Sequence, residues 1–393
     1  MRVAVVGAGL VGVATAHYFA TRYTGLVTRL EVFEKSQHIA GEQSGHNSGV
    51  IHAGIGYAPG SFKGRLCVLG ARHIYEFCES PAGQRVPVRR AGKYIVARNE
   101  AEAGRLAEIF TNAVANGVQG LELLDGVPLP SVRAVRSLYS PNTGVIDYPA
   151  LARALVADAA ERLGDRFTLR LGTEVPLRAL EPDAETHPRW AVDARAWYQH
   201  WDWVFVCVGG STLPTTQLRI LPVKGQYFEL RPDAIQRLGL SRCNIYPVPD
   251  KRYPFAGVHF TPSVDGRRVW VGPTATLAGW PPIQYPGFWR LVQQHWRFGL
   301  SQWWQENAPL ALWRALRGMV PDLGPHDLER SFYGVRAQAL TRDGTLLNDF
   351  HFERHRNVVH VRNAPSPAAT SSMAIAEYLV EGALQGSMSE TAS

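Results

Sequence analysis

Gly7-Ala8-Gly9-Leu10-Val11-Gly12 sets three glycines at GxGxxG spacing. That spacing suits a pyrophosphate. Gly7 permits a tight turn, Gly9 lets backbone approach the phosphates, and Gly12 lets a helix pack closely on a strand. The helix N-terminus then offers unpaired N–H groups to the anion. Glu34 supplies a carboxylate where a ribose diol needs an acceptor. Leu10, Val11 and Lys35 flank these positions and are expected to touch the same cofactor. The remaining chemistry-bearing residues include His46, His52 and His259, and Arg336 within the apolar string YGVRAQAL. No spacing of His, Cys, Asp or Glu suits a metal. The serines near histidines lack the elbow of a hydrolase nucleophile.

Elements must hold these residues in place. RVAVV at 2–6 is a β-branched run of the kind buried in parallel sheets. A helix over 10–22 and a strand over 29–34 (RLEVFE) follow, which puts the glycines at a strand-to-helix turn and Glu34 at the end of the second strand. Residues 41–61 are rich in Gly, Ser, Asn and His without periodicity. They predict a loop of a length that is uncommon unless functional. Helices are expected near 61–79 and 100–116, strands near 92–97 and 167–175, and SPNTGVIDYPALARAL (140–155) reads as a turn into a helix. WVFVCVGG (203–210) reads as an apolar strand and 219–277 as a β meander. Residues 285–318 read as helical and rich in Trp. Strands near 332–338 and 357–362, a Pro/Ser/Ala turn and a helix near 369–384 complete the pattern.

Dinucleotide-type fragments thus occur early, midway and late, with β-rich material between. The expected organisation is a discontinuous cofactor domain (1–85, 140–218 and 322–385), a substrate or cap domain (86–139 and 219–321), and a disordered tail (386–393). For 393 residues, two domains are the natural expectation. With 46% hydrophobic and 19% charged residues the composition is globular. No stretch is apolar for long enough to span a membrane. The opening apolar run is broken by the glycines and reads as a strand rather than a signal peptide, so a cytoplasmic location is expected. Four scattered cysteines suit a reducing compartment. The net charge of +7 comes from dispersed basic residues, which argues against nucleic acid as a partner and leaves an anionic substrate, cofactor or membrane surface.

The glycine fingerprint alone does not separate FAD from NAD. The second Gly-ended strand, with Gly209 and Gly210, and the small-residue turn NAPSPAAT (363–370) favour FAD, because large flavoproteins return such late segments to cover the ribityl chain and the ring.

SGHNSGVIHAGIGYAPGSFKGRLCVLGA (44–71), SPNTGVIDY (140–148), NIYPVPDKRYPFAGVHFTP (244–262), GVRAQALTRDG (334–344) and VRNAPSPAATSS (361–372) resemble, in order and over nearly the whole chain, the L-2-hydroxyglutarate oxidase/dehydrogenase family. That family is built like glycine and D-amino-acid oxidases. The resemblance implies a glutathione-reductase-type, Rossmann-like FAD domain (α/β) with an inserted antiparallel β-sheet substrate domain (α+β). It also implies oxidation of a 2-hydroxy acid to a 2-oxo acid, with quinone or oxygen as electron acceptor. Gly56, Phe332 and Tyr333 depart from the family pattern and would reshape a pocket that they lined.

Within that fold, His52 falls beside the flavin ring and is the expected general base, with His46 and His259 as weaker candidates. Arg336 is expected to grip the substrate carboxylate through its guanidinium fork. Gln226 and Tyr246 are expected to line the pocket. Tyr57, Arg65, His259 and Lys224 are candidates for a second carboxylate. Ser44, Gly45, Asn47, Ser48 and Gly49 are expected to approach FAD, as is Val175 by a backbone contact to adenine. Ala364, Pro365, Ser366, Ala369 and Thr370 would aim a helix N-terminus at the flavin. An amino-acid or amine oxidase is the rival of the same fold, and a flavin-dependent RNA-modifying protein the rival of another class. The helical stripe Phe288, Trp289, Val292, Trp296, Leu300 and Trp303 reads either as cap-domain core or as a peripheral membrane contact through 285–318 beside a quinone pool.

Overall fold

The computed structural model describes residues 1–184, 191–215, 217–250, 257–279 and 281–388. The β-branched run at the start forms β1 (Arg2–Val6), the centre of a six-stranded sheet. β1 pairs in parallel with β2 (Arg29–Phe33) on one side and β10 (Trp203–Val206) on the other. Beyond them lie β9 (Phe167–Arg170), beside β2, and β18 (Val358–Asn363), beside β10. β17 (His351–His355) closes the edge antiparallel to β18. Both faces are covered, as such a sheet requires. Val3 and Val5 point to one face, where α1 (Leu10–Arg22), α2 (Phe62–Glu79), α4 (Tyr148–Leu163) and α9 (Ala368–Leu384) pack together. Ala4 and Val6 point to the other face, with Leu180, Val204 and Trp201, near α5 (Ala191–His200).

A second, nine-stranded sheet carries the rest. Its order is β15 (Thr276–Leu277), β11 (Leu218–Leu230), β14 (Val269–Gly272), β13 (His259–Pro262), β12 (Asn244–Pro247), β5 (Lys93–Ala97), β7 (Arg136–Ser140) and β6 (Glu122–Asp125). β16 (Leu328–Thr341) runs antiparallel along the other side of β11. Residues 328–341, grouped with the cofactor segments on sequence grounds, therefore hydrogen-bond into this sheet. The sheet is mixed rather than wholly antiparallel, because β12 and β5 pair in parallel. α3 (Glu100–Ala115) packs on β5 and β7. A small sheet of β3 (Val50–Ile51), β8 (Gly144–Ile146) and β4 (Val88–Arg89) ties the 41–61 loop to the chain around 145.

Several elements differ from expectation for local reasons. The strand expected at 167–175 stops at Arg170, where Gly172 takes a left-handed turn (φ +63°). The 219–277 meander is interrupted by α6 (Pro232–Leu238), which has proline in its first turn and Gly239 in the left-handed conformation at its end. The 285–318 helix divides into α7 (Pro286–Asn307) and α8 (Pro309–Arg317) at Ala308, since a residue before proline is pushed out of the helical region. The expected disordered tail falls partly on 389–393, outside the described residues.

The stripe on α7 splits. Phe288 is buried, but Trp289, Trp296, Leu300 and Trp303 are each more than half exposed, as are neighbouring Trp304 on α7 and Leu310 on α8. Cap-domain core accounts for Phe288 and for half-buried Val292, which packs against the same cluster, and not for the others. No helix among the described residues is long and apolar enough to cross a membrane.

Candidate active site

A cavity of about 800 Å³ runs from the glycine turn of the first sheet to the face of the second. At its first end stand Gly7, Gly9, Leu10, Val11, Glu34, Lys35 and Val175. Gly7 has φ +102°, and a side chain there would meet the Cys207 carbonyl at 2.5 Å. A Cβ on Gly12 would lie 1.9 Å from the Gly7 carbonyl oxygen, so Gly12 serves helix–turn packing and does not line the cavity. The N-terminus of α1 carries no side-chain cap at Gly9, although Ser44 Oγ accepts a hydrogen bond from Leu10 N at 3.0 Å. The Glu34 carboxylate accepts from Ala8 N at 2.8 Å and Ser36 N at 2.9 Å, which fixes its orientation and leaves further lone pairs for a diol. Lys35 pairs with Glu42 at 2.8 Å and donates to Ser211 Oγ at 2.9 Å on the rim. An open helix N-terminus, a turn without side chains and an oriented carboxylate fit the pyrophosphate and ribose of a dinucleotide.

The 41–61 loop forms one wall. Ser44, His46, Asn47 and Ser48 line the cavity. Gly45 and Gly49 do not; Gly45 allows a close pass by the Ala40 carbonyl, and Gly49 takes φ +68° beside that of Ile146. Asn47 holds the loop together, donating to Gln43 O and Ser44 O and accepting from Gly49 N. His46 uses Nδ1 on Glu42 O at 2.9 Å, a structural role. Gly209 lines the cavity and Gly210 does not. Ala364, Pro365, Ser366, Ala369 and Thr370 form the wall at the start of α9. Thr370 is fully buried, its Oγ1 bonded to His52 N, Val50 O and Tyr148 Oη, so it locks α9 onto the strand that carries His52.

At the other end, His52, Tyr57, Tyr246, His259 and Arg336 converge on the cavity. Three expected residues do not. Gln226 is buried in the sheet, where its Nε2 donates to the carbonyls of Tyr227, Ser331 and Phe332 and its Oε1 accepts from Arg330. Arg65 is exposed and lies over the Phe62 ring, facing away from the cavity. Lys224 is held at 2.6 Å by Glu306. Gly56 lines the cavity, whereas Phe332 and Tyr333 do not; Phe332 stacks on the lining ring of Tyr227, and Tyr333 is exposed.

Arg336 is half-buried on β16, and its Nη2 donates to Thr274 O at 2.7 Å. Burial lowers its pKa, with the Tyr227 hydroxyl acting in the other direction. His259 donates from Nδ1 to Gly257 O at 3.0 Å. A carbonyl can only accept, so Nε2 carries the lone pair; this atom is buried, without a hydrogen-bond partner, and the ring stacks on Tyr246 at 3.8 Å. Burial pulls the pKa of His259 down to about 4, and that of His52 to about 3, where Lys93, His259 and Lys63 push the same way. Both imidazoles are therefore neutral at pH 7. Of the two, His52 is partly open to the cavity.

Two lysines also line this end, Lys63 and Lys93, neither singled out from the sequence. Burial lowers each to about pH 8. Lys93 opens the strand KYIVA, which is buried on both faces and so offers no alternation that would mark the lysine as inward. Among the described residues no cluster suits a metal ion.

Comparison with known proteins agrees with this geometry. The family model described as "DAO: FAD dependent oxidoreductase" matches residues 2–382. The chain is 35% identical to L-2-hydroxyglutarate dehydrogenase, mitochondrial, of Bos taurus over 96% of its own length and 88% of the relative's. It is 36% identical to the protein of that name from Caenorhabditis elegans, over 97% and 92%. Among solved structures it is similar to the FAD-bound L-alpha-glycerophosphate oxidase of Mycoplasma pneumoniae (TM-score 0.71, 22% identity, 98% and 94% of the two chains). Glycine oxidase from Geobacillus kaustophilus is also similar (TM-score 0.66, 20% identity, 100% and 95%). At those identities the structural likeness speaks for the fold.

Proposed function

This chain belongs to the DAO family of FAD-dependent oxidoreductases, and from that premise we propose that it oxidises L-2-hydroxyglutarate to 2-oxoglutarate. The observation that carries the reading is a cavity end lined by half-buried Arg336 and Lys63 and by buried Lys93 around a neutral, accessible histidine. What FAD supplies when bound is a two-electron acceptor for the hydride that leaves C2. Gly9, the α1 N-terminus and Glu34 would hold its pyrophosphate and ribose; the loop 44–49, Val175 and the start of α9 would enclose it.

Arg336 binds the C1 carboxylate and so turns the single C2–H bond toward the oxidant. His52 takes the hydroxyl proton as the C2–H bond breaks, so substrate loses one hydride and one proton and becomes the 2-oxo acid. A neutral imidazole is the form required. Tyr57 and Tyr246 wall the chain of the substrate. A neutral amino-acid substrate would present the same carboxylate and C–H, but it gives the lysines nothing to bind. Anaerobic bleaching of the flavin tests the reading. L-2-hydroxyglutarate should be preferred over L-lactate by at least about tenfold in kcat/KM, because an unfilled cationic site forfeits roughly 1.4 kcal/mol or more. Faster reduction by lactate or an amino acid would overturn it.

The electron acceptor in this proposal is a membrane quinone. The exposed Trp289, Trp296, Trp303, Trp304 and Leu300 on α7 lie beside Arg290 and Arg297, with Arg314 and Arg317 on α8 and a net charge of +7 over the chain. Trp and Arg together suit the headgroup layer of an anionic bilayer. The protein should float with liposomes containing anionic lipid and release at high salt. A protein left wholly in the lipid-free fraction, with fast turnover on oxygen, would favour oxygen as acceptor.

A further inference from the structure

Lys93 is 4% exposed. Burying an ammonium costs several kcal/mol unless a counter-charge stands close. Among the described residues no carboxylate makes an ion pair with it. The group that favours its charge is the Cys67 thiol, which burial pushes up to about 12 and which is therefore uncharged at neutral pH. The Tyr246 ring centre lies 5.0 Å from Nζ, a modest compensation. Lys63 differs, since Asp349 offsets part of its charge.

Position matches chemistry. Across the second sheet the strands run β16, β11, β14, β13, β12, β5, so His259 on β13 and Tyr246 on β12 stand between Arg336 on β16 and Lys93 on β5. His259 feels both cations. All four residues line one cavity end. A cation kept buried and unpaired on the wall of a ligand cavity is balanced when the ligand brings the anion.

We propose that Lys93 is the second anion anchor of this cavity, holding the C5 carboxylate of a 2-hydroxy diacid whose C1 carboxylate is on Arg336, an assignment that rests on the substrate reading above. It makes the lysine a specificity residue, acting on affinity for the diacid and little on the chemical step.

The test compares wild type with Lys93→Met, Lys93→Gln and Lys93→Arg, each at full FAD content, on L-2-hydroxyglutarate and on L-2-hydroxyvalerate, which ends in methyl instead of carboxylate. Loss of the charge should lower kcat/KM for the diacid by about 30-fold, mainly through KM, and that for the monoacid by less than about threefold. Lys93→Arg should recover part of the loss, and the glutamine variant keeps the test open if the methionine variant does not fold. Equal losses on both acids, or none, would overturn the anchor. Glutarate, which has no hydroxyl to oxidise, gives an arm independent of turnover: its Kd, read from the flavin absorbance, should rise at least about tenfold without the charge. If L-2-hydroxyglutarate does not reduce the wild-type flavin, glutarate decides. Lys93-dependent binding then keeps the anchor while the substrate reading falls, and unchanged affinity sinks both.

Discussion

Arg336→Ala should lower kcat/KM for the 2-hydroxy acid by about 30- to 1000-fold, the equivalent of roughly 2–4 kcal/mol. The guanidinium is half-buried on β16 and already tethered through Nη2 to Thr274 O, so its remaining donors are held in place before substrate arrives. Removing it leaves a carboxylate in a site of low polarity with no fork to receive it. Binding and alignment fail together, so KM should rise and the limiting rate of flavin reduction should fall. Arg336→Lys returns the charge without the planar fork and should recover only part of the loss. Stopped-flow reduction at several substrate concentrations separates the two components. Wild-type kinetics in the alanine variant would make the arginine a structural partner of Thr274.

His52→Ala should slow the limiting rate of flavin reduction by about 100-fold or more while FAD stays bound. FAD should stay because the bond from this residue to Thr370 comes from its backbone N–H, which alanine retains. His259→Ala should cost less, because the acceptor nitrogen of His259 is shut away beneath Tyr246. The sign of the pH effect follows from the lowered pKa. His52 must be unprotonated to act, and in the free enzyme it becomes protonated only near pH 3, so kcat/KM should be flat from about pH 5 to 7 instead of falling below 6.5. A carboxylate pair docked on Arg336 and Lys93 offsets the positive field, which raises the affinity of His52 for the proton it must accept. Loss of FAD from His52→Ala would place the histidine in cofactor packing instead.

The cofactor end was legible because its chemistry is local. GxGxxG with a strand before it, a helix after it and Glu34 at the end of the next strand is a single contiguous unit, and the structure puts it on the cavity. The strings around His52 and Arg336 were legible through resemblance, and the cavity brings the two together from the residue after β3 and from β16. Lys93 was not, since a lone lysine at the start of a strand looks like an edge residue until β12 and β7 are seen on either side of it. Gln226 and Lys224 misled for the opposite reason. Both lie on β11 near the site, but Gln226 spends its hydrogen bonds inside the sheet and Lys224 meets Glu306 from a helix some eighty residues away. Arg65 follows from α2, whose buried face is Gly64, Leu66 and Cys67, with the arginine between them pointing outward. Pairings of this kind depend on tertiary register, which no window of sequence contains.

The first sheet has a consequence for synthesis. β1 and β2 are made well before their sheet partners: β10 comes after only β5, β6 and β7 of the second sheet, β18 follows when all nine of its strands have been made, and α9 comes later still. Until Ala368–Leu384 emerges, α1 and α2 lack the helix that covers their apolar faces, and Thr370 is not there to fasten the strand behind His52. The glycine turn exists as sequence long before it exists as a cradle. FAD capture should therefore wait for α9: a chain stalled before this helix should stay colourless and offer its uncovered helices to chaperones, whereas a yellow molecule should be one translated through α9.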